Sequence, residues 1–183
     1  MSGGKGPGLG GGIYAGGGTI SNCTFSDNYI SYGGNGAGIC NAGTLEIGNT
    51  ILNAEPPENL FNNGGTITSA GYNLSSDDGG GYLNGPGDQI NTDPMLGPLQ
   101  DNGGRTFTHE LLSGSPAIDA GDPNFTPPPF YDQRGPDFYR IRNDRIDIGS
   151  FEVQQGPAVT PTPTPTPRPT PTPRPRPSPA HRP

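Results

Sequence analysis

Six aspartates gather in the second half of the chain, at Asp119, Asp122, Asp132, Asp137, Asp144 and Asp147. Together with loop carbonyls, such carboxylates offer the hard oxygen donors that Ca²⁺ takes, about six to eight at a time in flexible geometry. Asp119, Asp122, Asp132 and Asp147 are therefore the calcium candidates of this sequence. Their spacing matches neither an EF-hand nor a calcium-binding nonapeptide repeat, and Asp-Gly and Asp-Pro pairs also read as local caps and Asx-turns. In Asp132-Gln133-Arg134-Gly135, the favoured reading sets Arg134 against Asp119 or Asp147 as a structural ion pair.

Acid–base chemistry finds less support. Hydrolysis of a glycosidic bond needs two carboxyl groups at fixed separation, and lyase chemistry needs a positioned base. In the coil segment, residues 12–74, Asp27, Asp77 and Asp78 stand at or beyond the margins, Glu46 is the only acid inside an expected strand, and there is no Lys, Arg or His, since none lies between Lys5 and Arg105. His109 stands without a nucleophile in a recognised elbow and without a second His for a metal, which makes it a structural residue in this reading. No catalytic and no cofactor-binding residue is assigned. Cys23 and Cys40 lack metal-ligand spacing, and a disulfide would require their Cα atoms within about 7 Å. They read as small, half-buried residues.

The elements that must position these groups are unusual in composition. The chain of 183 residues carries 32 Gly and 24 Pro, and the two are segregated. Charge is segregated too: residues 1–155 hold Lys5 and five Arg against all 17 acids, a balance of −11, whereas residues 156–183 hold four Arg and no acid. An acidic body argues against nucleic acid as a partner, because a polyanion needs a basic face. Four dispersed arginines are thin for attraction to an anionic surface. Residues 1–11 contain one Lys and no apolar run, so no signal peptide or membrane span is expected to start the chain, and a longer parent protein is.

A repeat emerges when the glycines are aligned. Gly12-Ile13-Tyr14-Ala15 corresponds to Gly38-Ile39-Cys40-Asn41, and Asn22-Cys23-Thr24-Phe25 to Asn49-Thr50-Ile51-Leu52. A looser third copy runs from Asn63-Gly64-Gly65-Thr66-Ile67 to Tyr72-Asn73-Leu74. Apolar residues come in short alternating pieces bounded by Gly and Asn, the period of strands, and no helical period appears in residues 9–74. Asn22, Asn28, Asn41, Asn49, Asn53 and Asn73 suit corners, since Asn tolerates left-handed backbone and bonds its own main chain; stacked corners would form a ladder. Two or three coils are few for a solenoid that buries its core only between neighbours.

Beyond residue 92 the pattern changes. Asp93-Pro94-Met95-Leu96-Gly97-Pro98-Leu99, Asp101-Asn102-Gly103-Gly104, Ser113-Gly114-Ser115-Pro116-Ala117-Ile118-Asp119-Ala120-Gly121, Asp132-Gln133-Arg134-Gly135 and Asp147-Ile148-Gly149-Ser150-Phe151-Glu152 follow one another in order. This series resembles the choice-of-anchor Q domain that follows a right-handed parallel β-helix in bacterial surface proteins. The resemblance implies an exported or cell-surface protein of pectate-lyase-like fold, with no assigned reaction and with the cell envelope or an extracellular polysaccharide as its surroundings. Expected are an all-β chain with few β-helix coils over residues 1–92 and a loop-rich cap over residues 93–155 that covers the last coil. Within the cap, residues 106–112 are expected to form a helical turn, and residues 146–153, which alternate cleanly, a final strand returning to the sheet. Residues 156–183, with Pro at every second position from Pro161 to Pro179, can form neither helix nor ladder and read as a disordered Thr/Pro/Arg-rich spacer. The noncatalytic stalk or adhesin is set against two rivals. One is the C-terminal part of a carbohydrate-active enzyme with its catalytic coils upstream, and the other is an isolated fragment without function.

Overall fold

The computed structural model describes residues 5–6, 8–31 and 33–154; the expected spacer lies outside them. The strands are β1 (Lys5–Gly6), β2 (Ile13–Ala15), β3 (Gly18–Ser21), β4 (Thr24–Ser26), β5 (Tyr29–Ile30), β6 (Ile39–Asn41), β7 (Thr44–Gly48), β8 (Ile51–Asn53), β9 (Leu60–Asn62), β10 (Thr66–Gly71), β11 (Leu74–Ser75), β12 (Leu96–Gln100) and β13 (Thr108–Leu111). One 3₁₀ turn, Gly79–Gly81, is the sole helical element among the described residues. The protein is all-β.

Three parallel sheets carry the first half, ordered β2-β6-β9, β3-β7-β10 and β4-β8-β11. Each repeat therefore adds one strand to each sheet. The register sets Ile13 beside Ile39 and Phe25 beside Leu52, as the glycine alignment requires, with Leu60 on the other side of Ile39. The third copy begins earlier than the sequence suggests, at Leu60 instead of Asn63, because Phe61 and Asn62 pair with Cys40 and Asn41. Alternate residues point inward: Phe25, Ile39, Leu45, Ile47, Leu52 and Leu60 form one buried core with Leu83.

Corners are stacked as well. Asn22, Asn49 and Tyr72 share a left-handed backbone, with φ of 51°, 49° and 56°, and their N–H groups donate to Gly48, Gly71 and Pro86 carbonyls. The residue after each corner receives a side-chain acceptor from the next layer. Cys23 N–H meets Thr50 Oγ1, Thr50 N–H meets Asn73 Oδ1, and Asn73 N–H meets Asp88 Oδ1. At another corner Asn41 Nδ2 donates to Asn62 Oδ1 at 3.0 Å, a rung of the expected ladder. Close stacking at that corner leaves no room for a side chain, since a Cβ on Gly43 would stand 2.0 Å from the Gly16 carbonyl oxygen.

The third coil is closed by residues 76–92 and not by the cap. Tyr82 and Leu83 pack against the coil core, Asp77 accepts from Asn59 N–H, and Asp88 accepts from Asn73 and Ser69. The cap lies instead along the outer face of the β4-β8-β11 sheet. Ile51 and Leu74 face outward there and form a second core with Leu111, Ala117, Ile148 and Phe151. Hydrogen bonds join the cap to the first two layers and to the closing segment: Ser150 N–H donates to Thr24 Oγ1, Gly149 N–H to the Asn49 carbonyl, and Gln89 Nε2 to the Pro116 carbonyl of the cap.

Two local expectations are corrected. Residues 108–111 are a strand and not a helical turn, because antiparallel pairing with β12 satisfies their backbone while Thr108 and Leu111 turn inward. Residues 146–153 form no ladder strand. Gly149 adopts φ of +99°, and a Cβ there would meet Ile51 and Thr24 side chains at 2.7 Å, so the extended run breaks where it crosses the sheet. The N–H groups of this segment are satisfied one by one by Ala117, Asn49, Thr24, Asp132 and Asp147.

Phe151 is 7% exposed at the centre of the second core. Phe151→Ala is expected to lower unfolding free energy by about 3 to 5 kcal/mol in denaturant titration. Unchanged stability would contradict the placement of the cap.

Candidate functional site

Two arginines organise the cap from within. Arg134 is buried, and Asp132 beside it is buried too. Its Nη2 stands 2.6 Å from Asp132 Oδ2, and its Nε donates to the same carboxylate at 3.0 Å. Arg134 also donates to the carbonyls of Glu152 and Asn102. Its guanidinium lies between two rings, 4.0 Å from the Phe138 centroid and 3.8 Å from that of Phe151. Planar stacking on both faces and hydrogen bonds at the edge use what distinguishes guanidinium from ammonium. The expected pairing of Arg134 with Asp119 or Asp147 is thus replaced by a pair two residues away, since Asp132 shares the tight turn with Arg134 and already accepts its N–H.

Arg140, 1% exposed, ties cap to coil. Its Nη2 donates to the carbonyls of Asp147 and Gly149 and to Asn22 Oδ1 on the first coil, and its Nη1 stands 3.9 Å from Glu152 Oε2. Burial pushes the Glu152 carboxyl up to about 9, with the Asp147 charge adding to the shift, and burial likewise raises Asp147 to about 6. Arg140 is thus faced by two carboxyls whose charged forms burial disfavours. Burial also lowers the Arg140 pKa. Neither Arg140 nor Glu152 was singled out as a site residue. Their signal was an ionisable residue set between apolar neighbours, Tyr139 and Ile141 in one case and Phe151 and Val153 in the other.

The calcium candidates are dispersed over different tasks. Asp132 holds Arg134 and the Glu152 N–H; Asp147 accepts from the N–H groups of Asp119 and Val153; Asp122 caps Asn124 N–H; Asp119 accepts from Asn143 Nδ2. Among the described residues no group of three or more His, Cys, Asp or Glu side chains is arranged to hold a metal ion. Cys23, half-buried, and Cys40, buried, are free thiols, both raised in pKa by burial. His109 Nδ1 lies 2.8 Å from the Gly97 carbonyl, and its Nε2 lies 3.9 Å from Asp27 Oδ2.

Beside these buried charges runs an open groove between the first coil and the cap. It comprises three adjoining cavities of about 420, 180 and 460 Å³, all of which share Gln133 and Ser150 in their walls. One end is bordered by Pro129 and Tyr131, another by Phe107 and His109, and the third opens onto Ile13, Ile20 and Phe25 of the first coil.

Comparisons with protein families, with curated proteins and with solved structures find no match to this chain. No helix among the described residues is long and apolar enough to cross a membrane.

The buried carboxyls give stability a pH dependence of defined sign. Their folded pKa values exceed the unfolded ones, so the folded state holds extra protons, and the stability they contribute is complete below about pH 4 and lost as pH rises towards 9. Asp77 acts in the opposite sense only in acid: burial would raise it, but hydrogen bonds from Asn59, Ser75 and Gly79 outweigh this and lower it from 3.8. The thermal midpoint is therefore expected to fall between pH 5 and pH 9, with a shallower fall in Glu152→Gln. A midpoint that climbs over that range would contradict the assignment.

Proposed function

We propose that this chain is a noncatalytic part of an exported or cell-surface protein. In this reading it is a short right-handed parallel β-helix buttressed by a choice-of-anchor Q-like cap, serving as a stalk or adhesin-like scaffold. The observation that carries the reading is the use made of the ionisable groups. The coils between Lys5 and Arg105 contain no basic residue, and Arg134, Arg140, Asp132 and Asp147 in the cap are buried and bound to one another or to main chain. Catalysis asks for an acid and a base exposed to substrate at fixed separation, whereas these charges join cap to coils. The coil-by-coil parallel register supports the β-helix, and the ordered clusters from Asp93 to Glu152 support the family resemblance and, through it, the location.

The alternative, the C-terminal part of a polysaccharide lyase or hydrolase, is favoured by one observation: exposed Asp27 faces His109 across 3.9 Å, with His109 in the wall of the groove. The purified chain is expected to release no product from pectin, alginate or neutral polysaccharides, with or without Ca²⁺, when reducing ends and unsaturated products are measured. Turnover abolished by Asp27→Asn or Asp119→Ala would overturn the noncatalytic reading.

A further inference from the structure

We propose that the groove between the first coil and the cap is a binding site for a neutral polysaccharide chain, with Tyr131 and Phe107 as stacking platforms and Gln133 as the central hydrogen-bonding group. The inference extends the scaffold reading by giving the scaffold a ligand, and it rests on that reading only for the expectation that the ligand leaves uncleaved.

The shape comes first. Three cavities of about 420, 180 and 460 Å³ that meet at Gln133 and Ser150 together offer more room than a single sugar ring fills, and so suit a ligand of several linked rings. The lining combines two chemistries. Exposed aromatic rings line two of the cavities: Phe107 is 62% exposed, and Tyr131 is 38% exposed, with its ring braced by Tyr139 at 5.4 Å between centroids. Between them lie amides and hydroxyls. The Gln133 side chain is exposed, with one long contact, 3.3 Å from its Nε2 to Thr106 Oγ1, and Ser21 and Ser150 line the walls beside it. A pyranose ring presents both complements, an apolar C–H face for an aromatic ring and a rim of hydroxyls for amides and hydroxyls.

Charge selects among polysaccharides. The two charged side chains in the wall are engaged internally, Asp132 by Arg134 and Arg140 by main-chain carbonyls and Asn22. Among the described residues that line the groove the one arginine, Arg140, is thus engaged, and residues 1–155 carry a balance of −11 that repels a polyanion. A neutral chain meets neither obstacle.

The test is isothermal titration of the full chain with cellohexaose, mannohexaose and xylohexaose, and with hexagalacturonate as the anionic probe. At least one neutral hexasaccharide is expected to bind, and more tightly than hexagalacturonate. Tyr131→Ala and Gln133→Ala, both at exposed side chains, are expected to weaken binding about tenfold or more at an unchanged thermal midpoint, the scale of losing one stacked ring or one buried polar contact. Tyr14→Ala, outside the groove, should leave affinity as it is. Absence of binding by all three neutral probes, preference for hexagalacturonate, or full affinity in both groove variants would overturn the proposal. Chromatography of the titrated sugar separates the two readings: intact hexasaccharide supports both, and cleavage would uphold the groove while sinking the noncatalytic scaffold.

Discussion

A guanidinium removed from water must be given partners for its charge, and the cap is arranged around that demand, although Arg140 Nε is left buried without a hydrogen-bond partner. Arg134 gathers Asp132, the carbonyls of Asn102 and Glu152, and the rings of Phe138 and Phe151 into one cluster. These partners come from four separate stretches of a region with little regular structure. Removing any one partner would leave part of a buried charge uncompensated, which is why such pairs fix a conformation more surely than they raise net stability. Arg140 extends the same logic outward, joining the segment of residues 147–149 to Asn22 on the first coil. Glu152 and Asp147 complete the arrangement, both raised in pKa by burial.

The coils depend on this arrangement in turn. Strands of two to six residues in three layers bury a narrow interior, and β8 turns Ile51 outward while Leu52 turns inward. An exposed apolar outer face would be a liability for so short a stack. The cap covers that face by lying along all three layers, while residues 76–92 close the last one with Asp77 and Asp88 standing in for the absent next rungs. Coils and cap therefore form one unit, and the groove arises where the cap passes the first coil.

The parallel repeats were legible because Gly12-Ile13 and Gly38-Ile39, or Asn22 and Asn49, are local signals: a left-handed corner favours Gly or Asn. The third corner was harder, since Tyr72 occupies the left-handed position there and carries no such signal. Position along the molecule was not legible in the cap, because Ile146, Ile148 and Phe151 alternate as a strand would, while Gly149 and the long-range acceptors Asn49 and Thr24 decide otherwise. Residues 108–111 became a strand through pairing with Leu96–Gln100, a nonlocal contact. The ion pair was anticipated in kind and misassigned in partner: charge compensation for Arg134 was foreseeable, but which carboxylate shares its turn is a matter of local backbone geometry. The groove left almost no trace in sequence, because its residues come from both halves of the chain.

The central claim is that cap and coils open together, held by the buried arginines. Native-state hydrogen exchange addresses it by comparing Ile148 and Gly149, whose N–H groups donate to Ala117 and Asn49, with Ile51 and Leu74, whose N–H groups donate to Cys23 and Thr50. The account predicts a common opening free energy for all four amides, equal to that of global unfolding. Ready exchange of Ile148 and Gly149 through a low-energy opening, with Ile51 and Leu74 still protected, would show a cap that detaches on its own and would contradict it.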